Sequence, residues 1–142
     1  MADSSRKQAV RRFYEPYGNG DVGLYDGLLT PDWTEHEPVS PDQKPGPASY
    51  KPVVAYVRGM FPDIAFATEA IIEEGDVVAI RSTLSATHTV EAFGLKPTGK
   101  RFSILTMDMH RFEGGRIAET WHVENWLDMF KQVGAMPGGG GR

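Results

Sequence analysis

Hydrophobic residues in the first half of the chain recur at helical spacing in three segments. The apolar stripes are Val10, Phe13, Tyr14 and Tyr17, then Leu24, Tyr25, Leu28 and Leu29, then Tyr50, Val53, Val54, Val57, Met60 and Phe61. Spacing of three or four residues predicts amphipathic helices. The first helix is predicted to begin at a capping box of Ser5 and Gln8 and to end near Gly18. The second is predicted to begin at a cap on Asp21 and to stop at Thr30-Pro31-Asp32.

The third helix follows a proline-rich loop over residues 38–49 and is predicted to carry Pro52 in its first turn, where no helical amide bond is lost. The second half alternates between apolar and polar residues, which predicts strands over 64–72, 77–90, 101–112 and 116–124. A last helix over 126–133 is predicted between a cap on Asn125 and a stop at Gly134. This order indicates an α+β fold, in which the helices cover one face of a strongly curved antiparallel sheet and enclose a pocket.

Length and composition agree with one globular domain. The chain has 142 residues, of which 40% are hydrophobic and 24% charged, as in ordinary globular proteins. We predict a single domain over 1–134 and a flexible glycine-rich tail over 135–142. Residues 1–8 lack the apolar core of a signal peptide and no apolar run could span a bilayer, so we expect a cytoplasmic protein without membrane contact. The net charge of −4 argues against nucleic-acid binding, and the absence of cysteine excludes disulfides and thiolate chemistry.

The last predicted hairpin carries most of the candidate chemistry, and its two faces depend on the turn. A two-residue turn at Gly114-Gly115 would pair Asp108 with Trp121. A three-residue loop with a left-handed Gly115 would pair Asp108 with Thr120 instead. We favour the three-residue loop, because it separates apolar from polar side chains. The apolar face then holds Leu105, Met107, Met109, Ile117, Trp121 and Val123, and the polar face holds Thr106, Asp108, His110, Thr120, His122 and Glu124.

The polar face brings together two carboxylates and two imidazoles. They are Asp108, His110, His122 and Glu124. Such groups can exchange protons with a substrate as general acid and base. A solvated polar face is the alternative, which patterning alone favours, since antiparallel sheets commonly have one wet side. Two imidazoles and a carboxylate could also bind a metal ion, but no helical His-x-x-x-His spacing supports this, so we expect no metal.

Several short motifs stand in a fixed order over residues 13–134. They are Gly20-Asp21, His36-Glu37-Pro38, Phe61-Pro62-Asp63, Thr87-His88, Pro97-Thr98-Gly99-Lys100, Met109-His110-Arg111-Phe112, Gly114-Gly115-Arg116-Ile117 and Glu119-Thr120-Trp121. Together they resemble the SnoaL-like polyketide cyclases of the cone-shaped NTF2-like superfamily. The resemblance implies a cofactor-independent intramolecular aldol reaction on a polyketide or related keto compound.

The resemblance also implies roles for particular residues. His110 would help hold an enolate oxygen, and the carboxylate that takes the proton would fall at Glu124 or Asn125. An aspartate is expected at that position and is absent here. Glu124 could serve as a longer base, whereas Asn125 could not. We therefore expect Asp108 and His110 to bind or protonate the enolate oxygen, with Glu124, assisted by His122, as the base.

Other branches of the superfamily leave the reaction open. Asp108-Met109-His110 resembles the Asp-x-His pair of cofactor-independent hydroxylases that act on polycyclic aromatic polyketides. Ketosteroid isomerases place a protonated acid at a position like Asp108. A non-catalytic ligand-binding or dimerisation module is a further possibility, because this fold serves many functions.

The remaining candidate substrate contacts come from other elements. They are His36, Tyr14, Trp33, Phe61, Tyr56, Arg81 and Asn125. The resemblance puts His36 at the pocket mouth, and the aromatic residues belong to elements expected to cover the pocket. Arg81 could bind a substrate carboxylate or pair with a buried acid, and Asn125 is expected to cap the last helix. The apolar sheet face needs cover, which predicts a homodimer through the sheet.

Overall fold

The computed structural model describes residues 2–136, in which helices line one side of a five-stranded sheet. The helices are α1 (Ser5–Phe13), α2 (Glu15–Asn19), α3 (Tyr25–Leu28), α4 (Pro47–Met60) and α5 (Trp126–Val133), and the strands are β1 (Leu29–Glu35), β2 (Ala65–Glu74), β3 (Val77–Thr87), β4 (Arg101–Glu113) and β5 (Arg116–Glu124). The predicted α+β class is confirmed. Residues 137–142 of the predicted tail lie outside the described residues. No helix in the described part is long and apolar enough to cross a membrane.

The sheet has the strand order β1-β5-β4-β3-β2. Its four long strands form the predicted antiparallel meander, and β1 joins the edge parallel to β5. The helical segment ends at Leu28, in agreement with the predicted stop at Thr30-Pro31-Asp32, but these three residues belong to β1, a strand that was not predicted. Pro31 is tolerated there because an edge strand has one side on which no ladder hydrogen bond is lost.

The turn of the last hairpin differs from the predicted three-residue loop. Gly114 and Gly115 form a two-residue turn, since Glu113 pairs with Arg116. Gly114 rather than Gly115 is left-handed, with φ of 61°. A glycine is favoured there because it has no Cβ to clash in this conformation.

A β-bulge then adds one residue to β5, between the partners of Arg111 and Phe112. Asp108 therefore lies opposite His122, and His110 opposite Thr120. Both predicted pairings of Asp108 are wrong in register, but the extra residue restores the predicted division of faces. The one exception is Ile117, which pairs with Phe112 and is buried on the side of the helices.

The first helix is shorter than predicted and begins one residue earlier. Its N-cap is Ser4, whose hydroxyl accepts a hydrogen bond from the Lys7 amide at 3.1 Å. The helix breaks at Tyr14, and α2 carries Pro16 in its first turn, the position that tolerates a residue without an amide hydrogen. Tyr14 thus lies at the break between two helices.

The other helices follow the predictions in part. Asp21 makes no side-chain cap, and the second predicted helix is split into a 3₁₀ turn at Val22–Leu24 and the short α3. The helix α4 begins at Pro47, so Pro52 lies inside it rather than in its first turn. The helix α5 is confirmed, with the Asn125 side chain accepting the Asp128 amide hydrogen and a left-handed stop at Gly134.

Two apolar clusters hold the helices against the inner face of the sheet, the face on which the helices lie. One joins α1, α3 and α4 to β1, β3 and β5, with Phe13, Tyr50 and Ile117 among its buried members. The other packs the end of α4 and the helix α5 on β3 and β4, through Met60, Leu84 and other residues. Burying apolar side chains in this way is the dominant favourable contribution to folding.

Candidate active site

A cavity of about 480 Å³ opens between the helices and the inner face of the sheet. That volume suits a small molecule. Much of its wall is aromatic, with Tyr14, Tyr17, Tyr50 and Tyr56 among the lining residues. The polar residues that line it include Glu35, Asp108, Thr120, His122 and Glu124. Three of the four predicted acid–base residues, Asp108, His122 and Glu124, therefore line one cavity.

Asp108 is hydrogen-bonded on one oxygen and has no partner on the other. The Tyr14 hydroxyl donates to its Oδ2. Its Oδ1 is buried and has no hydrogen-bond partner within residues 2–136. A buried polar atom without a partner is costly and is concentrated at functional sites. Asp108 thus offers a ligand in the cavity one unsatisfied oxygen.

The environment of Asp108 favours its protonated form far more than water does. Burial raises the pKa of Asp108 to about 7, against the opposing effect of the hydrogen bond from Tyr14. The negative charge of Glu124 raises it further. A carboxyl group with a pKa near neutrality can both take and return a proton under physiological conditions.

His110 is fully buried behind Tyr14 and does not line the cavity. Its Nε2 lies 2.9 Å from the Tyr14 hydroxyl, and its Nδ1 lies 2.8 Å from the Thr120 hydroxyl. Burial, together with the charge of His122, lowers the pKa of His110 to about 3. The ring is therefore neutral and reaches a ligand only through Tyr14.

His122 lies between two carboxylates at the same end of the sheet. Its Nδ1 is 2.6 Å from Glu124 Oε2, and its Nε2 is 2.7 Å from Glu35 Oε1 and 2.7 Å from the Glu37 carbonyl oxygen. Burial disfavours the charged ring, but the hydrogen bonds to Glu124 and Glu35 outweigh it and raise the pKa of His122 to about 11. The ring is therefore an imidazolium, bonded on both nitrogens.

Sequence reasoning missed Glu35 because it did not identify β1, on which Glu35 lies. The Glu35 side chain is only 5% exposed. Its Oε2 accepts a hydrogen bond from the Gln43 side chain at 2.6 Å, which ties the loop after β1 to this cluster. Burial along β1 does not alternate, since Leu29 and Thr30 are both buried and Pro31 and Asp32 are both exposed, so the sequence carries no period-two signal for this strand.

The other aromatic candidates differ in their placement. Tyr14 and Tyr56 line the cavity, and Tyr56 is 59% exposed. Trp33 and Phe61 are fully buried and do not line it. The Trp33 ring nitrogen donates to the Thr120 hydroxyl at 3.0 Å, and Phe61 packs against Phe102 and Trp126.

Three polar candidates lie away from the cavity. His36 stacks on Trp121 on the outer face of the sheet, the face turned away from the helices, with ring centroids 4.5 Å apart. Arg81 is exposed on β3 opposite Met107, also on the outer face. Asn125 caps α5. In the part of the chain that the structure describes, no three His, Asp or Glu side chains are arranged to hold a metal ion.

Comparisons with known proteins give one consistent result. Residues 7–133 match the profile of the SnoaL-like polyketide cyclase family. The aklanonic acid methyl ester cyclases AcmA of Streptomyces galilaeus and DnrD of Streptomyces peucetius are 30% identical over 135 residues and 28% identical over 137 residues. In each case the match covers 92% of both chains. The crystal structure of IdmH from Streptomyces antibioticus is 27% identical and superimposes with a TM-score of 0.81, over 93% of this chain and 100% of IdmH.

Proposed function

Because the chain belongs to the SnoaL-like polyketide cyclase family, we propose that it closes a carbon ring in a polyketide-derived keto ester by an intramolecular aldol reaction. AcmA and DnrD are cyclases of aklanonic acid methyl ester, so this ester is the first substrate to test. The aromatic wall of the cavity fits a flat polycyclic substrate.

The observation that carries this proposal is the state of Asp108. The residue lines the cavity, one of its oxygens lacks a partner, and its pKa is about 7. In the proposed reaction the Asp108 carboxylate takes a proton from the substrate carbon next to a carbonyl, and the C–H electron pair forms an enolate. The enolate carbon bonds to a ketone carbon of the same molecule. The ketone oxygen receives the π pair as an alkoxide, and Asp108 returns the proton to it. The reaction is redox-neutral and needs no external oxidant.

Glu124 is the second carboxylate that could act as the base, as the sequence predicted. In the structure its Oε2 is bonded to the His122 ring. A proton that reached Glu124 would have to compete with this ion pair, whereas Asp108 Oδ1 has no protein group to displace. We therefore assign proton transfer to Asp108 and a substrate-positioning role to the cluster of Glu35, His122 and Glu124.

Two isosteric variants test this assignment. Asp108→Asn should lower kcat on aklanonic acid methyl ester by about 10²- to 10⁴-fold, with KM nearly unchanged, and Glu124→Gln should have a much smaller effect. The product is an isomer of the substrate, so turnover is measured by chromatography rather than by mass. In the wild type, kcat/KM should rise with pH through about 7 as Asp108 loses its proton.

The opposite ranking would overturn the assignment: an active Asp108→Asn enzyme and an inactive Glu124→Gln enzyme would make Glu124 the base. Thermal unfolding of both variants checks that they are folded. Ligand binding without any turnover in the wild type would instead favour a non-catalytic binding module.

We also propose that two copies of the chain associate through the outer face. Five large apolar residues on β4 and β5 are 36–68% exposed there, and they form what we call the outer patch. They are Leu105, Met107, Met109, Trp121 and Val123. Met107 pairs with Val123 and Met109 with Trp121, so the patch is continuous across the two strands. A two-fold dimer would cover the same patch on both copies.

Sedimentation velocity at micromolar concentration tests the dimer. The wild type should sediment with twice the chain mass, and Met107→Glu should shift it to the monomer because it places a charge in the buried patch. Leu127→Glu, at an exposed apolar residue on α5 outside the outer patch, is the matched control and should remain dimeric. A monomeric wild type would refute the proposal.

A further inference from the structure

Five side chains form one unbroken hydrogen-bonded series that runs from the core to the cavity. They are Trp33, Thr120, His110, Tyr14 and Asp108. The Trp33 ring nitrogen is 3.0 Å from the Thr120 hydroxyl, which is 2.8 Å from His110 Nδ1. His110 Nε2 is 2.9 Å from the Tyr14 hydroxyl, which donates to Asp108 Oδ2. The series comes from β1, β5, β4 and the break between α1 and α2, so no local motif reveals it.

The direction of every hydrogen bond in this series follows from Trp33. An indole N–H can only donate, so the Thr120 oxygen must accept from it. Thr120 is buried, and its own hydrogen has one acceptor among the described residues, His110 Nδ1. The neutral His110 ring then carries its proton on Nε2 and donates to Tyr14, and Tyr14 donates to Asp108. Each hydroxyl and the imidazole ring donates once and accepts once.

The reversed direction would leave a buried donor without a partner. His110 would then donate from Nδ1 to Thr120, which already accepts from Trp33, and the Thr120 hydrogen would have no acceptor. An unsatisfied buried hydroxyl disfavours that arrangement. Tyr14 would also donate to His110 Nε2, so Asp108 Oδ2 would have to hold a proton and donate it to Tyr14. The Trp33 N–H thus selects between two arrangements of hydrogen bonds. In one, Asp108 Oδ2 accepts from Tyr14, and in the other a protonated Oδ2 donates to Tyr14.

We infer that Trp33 and Thr120 are positioning residues that determine which oxygen of Asp108 exchanges a proton. While Tyr14 donates to Oδ2, the exchangeable proton is directed to Oδ1, the oxygen without a protein partner. Neither Trp33 nor the buried His110 has to touch the substrate for this effect. The consequence for catalysis rests on the proposed function, whereas the direction of the hydrogen bonds does not.

The tautomer of His110 tests the direction without any substrate. Nitrogen-15 NMR of the wild-type protein distinguishes a protonated Nδ1 from a protonated Nε2, and a spectrum of His110→Gln assigns the signal. We expect His110 to be neutral with the proton on Nε2. A proton on Nδ1 would overturn the inference, and because this measurement uses the wild type it does not depend on any variant folding.

Thr120→Val removes the hydroxyl with little change of shape, and Thr120→Ser is the matched control that keeps it. Without the Thr120 hydroxyl, Tyr14 is free to donate to His110, so Asp108 loses a hydrogen bond that lowers its pKa. Thr120→Val should therefore lower kcat at pH 7 about tenfold, leave KM nearly unchanged and move the rise of kcat/KM to higher pH. Thr120→Ser should behave like the wild type.

The outcomes separate the two proposals. If the wild type does not cyclise the ester, the proposed function fails. If Asp108→Asn remains fully active, the assignment of proton transfer to Asp108 fails. In both cases the His110 tautomer still decides the direction of the series. If Asp108→Asn is inactive but Thr120→Val and Thr120→Ser share one pH profile, the positioning role is refuted. A stability loss in Thr120→Val without a change in the pH profile would mean that the hydroxyl serves folding only.

Discussion

His110 and His122 lie on adjacent strands and on the same face of the sheet, yet His110 is neutral and His122 is positively charged. The residue opposite His122 is Asp108, two positions before His110 on β4. His110 has a pKa lowered to about 3 and His122 a pKa raised to about 11. Burial disfavours the charged form of both rings, so burial alone does not explain the difference.

The difference comes from what each ring nitrogen meets. His110 is bonded to two hydroxyls, which carry no charge and satisfy a neutral ring. His122 is bonded to two carboxylates, which stabilise an imidazolium. The charge on His122 in turn disfavours a second charge on His110. One end of the site therefore contains the hydrogen-bonded series with its neutral His110, and the other end contains the ionic cluster of Glu35, His122 and Glu124.

The largest effect on stability is expected from breaking the ionic cluster with His122→Gln. The substitution leaves Glu35, which is nearly buried, without its cationic partner. Removing one member of a buried ion pair costs about 3–5 kcal/mol, and the partial exposure of His122 places this case near 3 kcal/mol. Urea unfolding at pH 7 measures the loss.

The pH dependence of stability identifies the same cluster. The folded-state pKa of His122 is about 11 and its ordinary value is 6.5, so between these values the folded chain holds a proton that the unfolded chain has released. Wild-type stability should therefore fall as pH rises from about 7 to 10. The decline should be much weaker in His122→Gln. An equally steep decline in the variant would show that His122 is not the group responsible.

A smaller effect on stability is expected from Tyr14→Phe, which interrupts the hydrogen-bonded series between His110 and Asp108. The change leaves His110 Nε2 and Asp108 Oδ2 without their hydroxyl partner, at a cost of about 1–3 kcal/mol. Because the hydrogen bond from Tyr14 lowers the pKa of Asp108, its loss should move the rise of kcat/KM to higher pH. Urea unfolding and a pH–rate profile measure the two effects.

Tyr17→Phe is the matched control for this prediction. Tyr17 also lines the cavity, but its hydroxyl is bonded to Tyr50 rather than to Asp108. It should lose a comparable amount of stability without the change in pH profile. Equal pH shifts in Tyr14→Phe and Tyr17→Phe would contradict a specific bond between Tyr14 and Asp108.

The sequence was sufficient to predict the sheet face on which the site residues lie, but not which residues lie opposite each other. Period-two alternation places Asp108, His110 and His122 on one face, and the structure agrees. The register was not predictable, because the bulge at Ala118 is set by packing: both Ile117 and Ala118 are buried. Alternation in the sequence specifies faces, whereas a bulge changes which residues lie opposite each other.

The charge of His122 was not predictable, because it depends on a contact far along the chain. Glu35 lies next to His122 because β1 pairs in parallel with β5. The presence of Pro31 in the segment argued against a strand there. The same limit applies to the Trp33–Thr120 bond, which joins residues 87 positions apart. Local patterns carry no information about such pairs, and these pairs are what determine protonation at the site.

The smallest effect is expected at a third histidine, His36, which also contacts a carboxylate but is more exposed than His122. Its Nε2 is 2.9 Å from Glu119 Oε1 at the surface, and Arg111 also bonds Glu119. Exposed ion pairs contribute about 0–1 kcal/mol, so His36→Gln should change the free energy of unfolding by less than about 1 kcal/mol at low salt. Salt should reduce the difference further because it screens exposed charges.

Since His36 does not line the cavity, kcat and KM of His36→Gln should stay at wild-type values. Urea unfolding at two salt concentrations, with protein concentration held constant, measures the first effect. A loss as large as that of His122→Gln would mean that carboxylate partners alone, without burial, are enough to make a histidine essential to this fold.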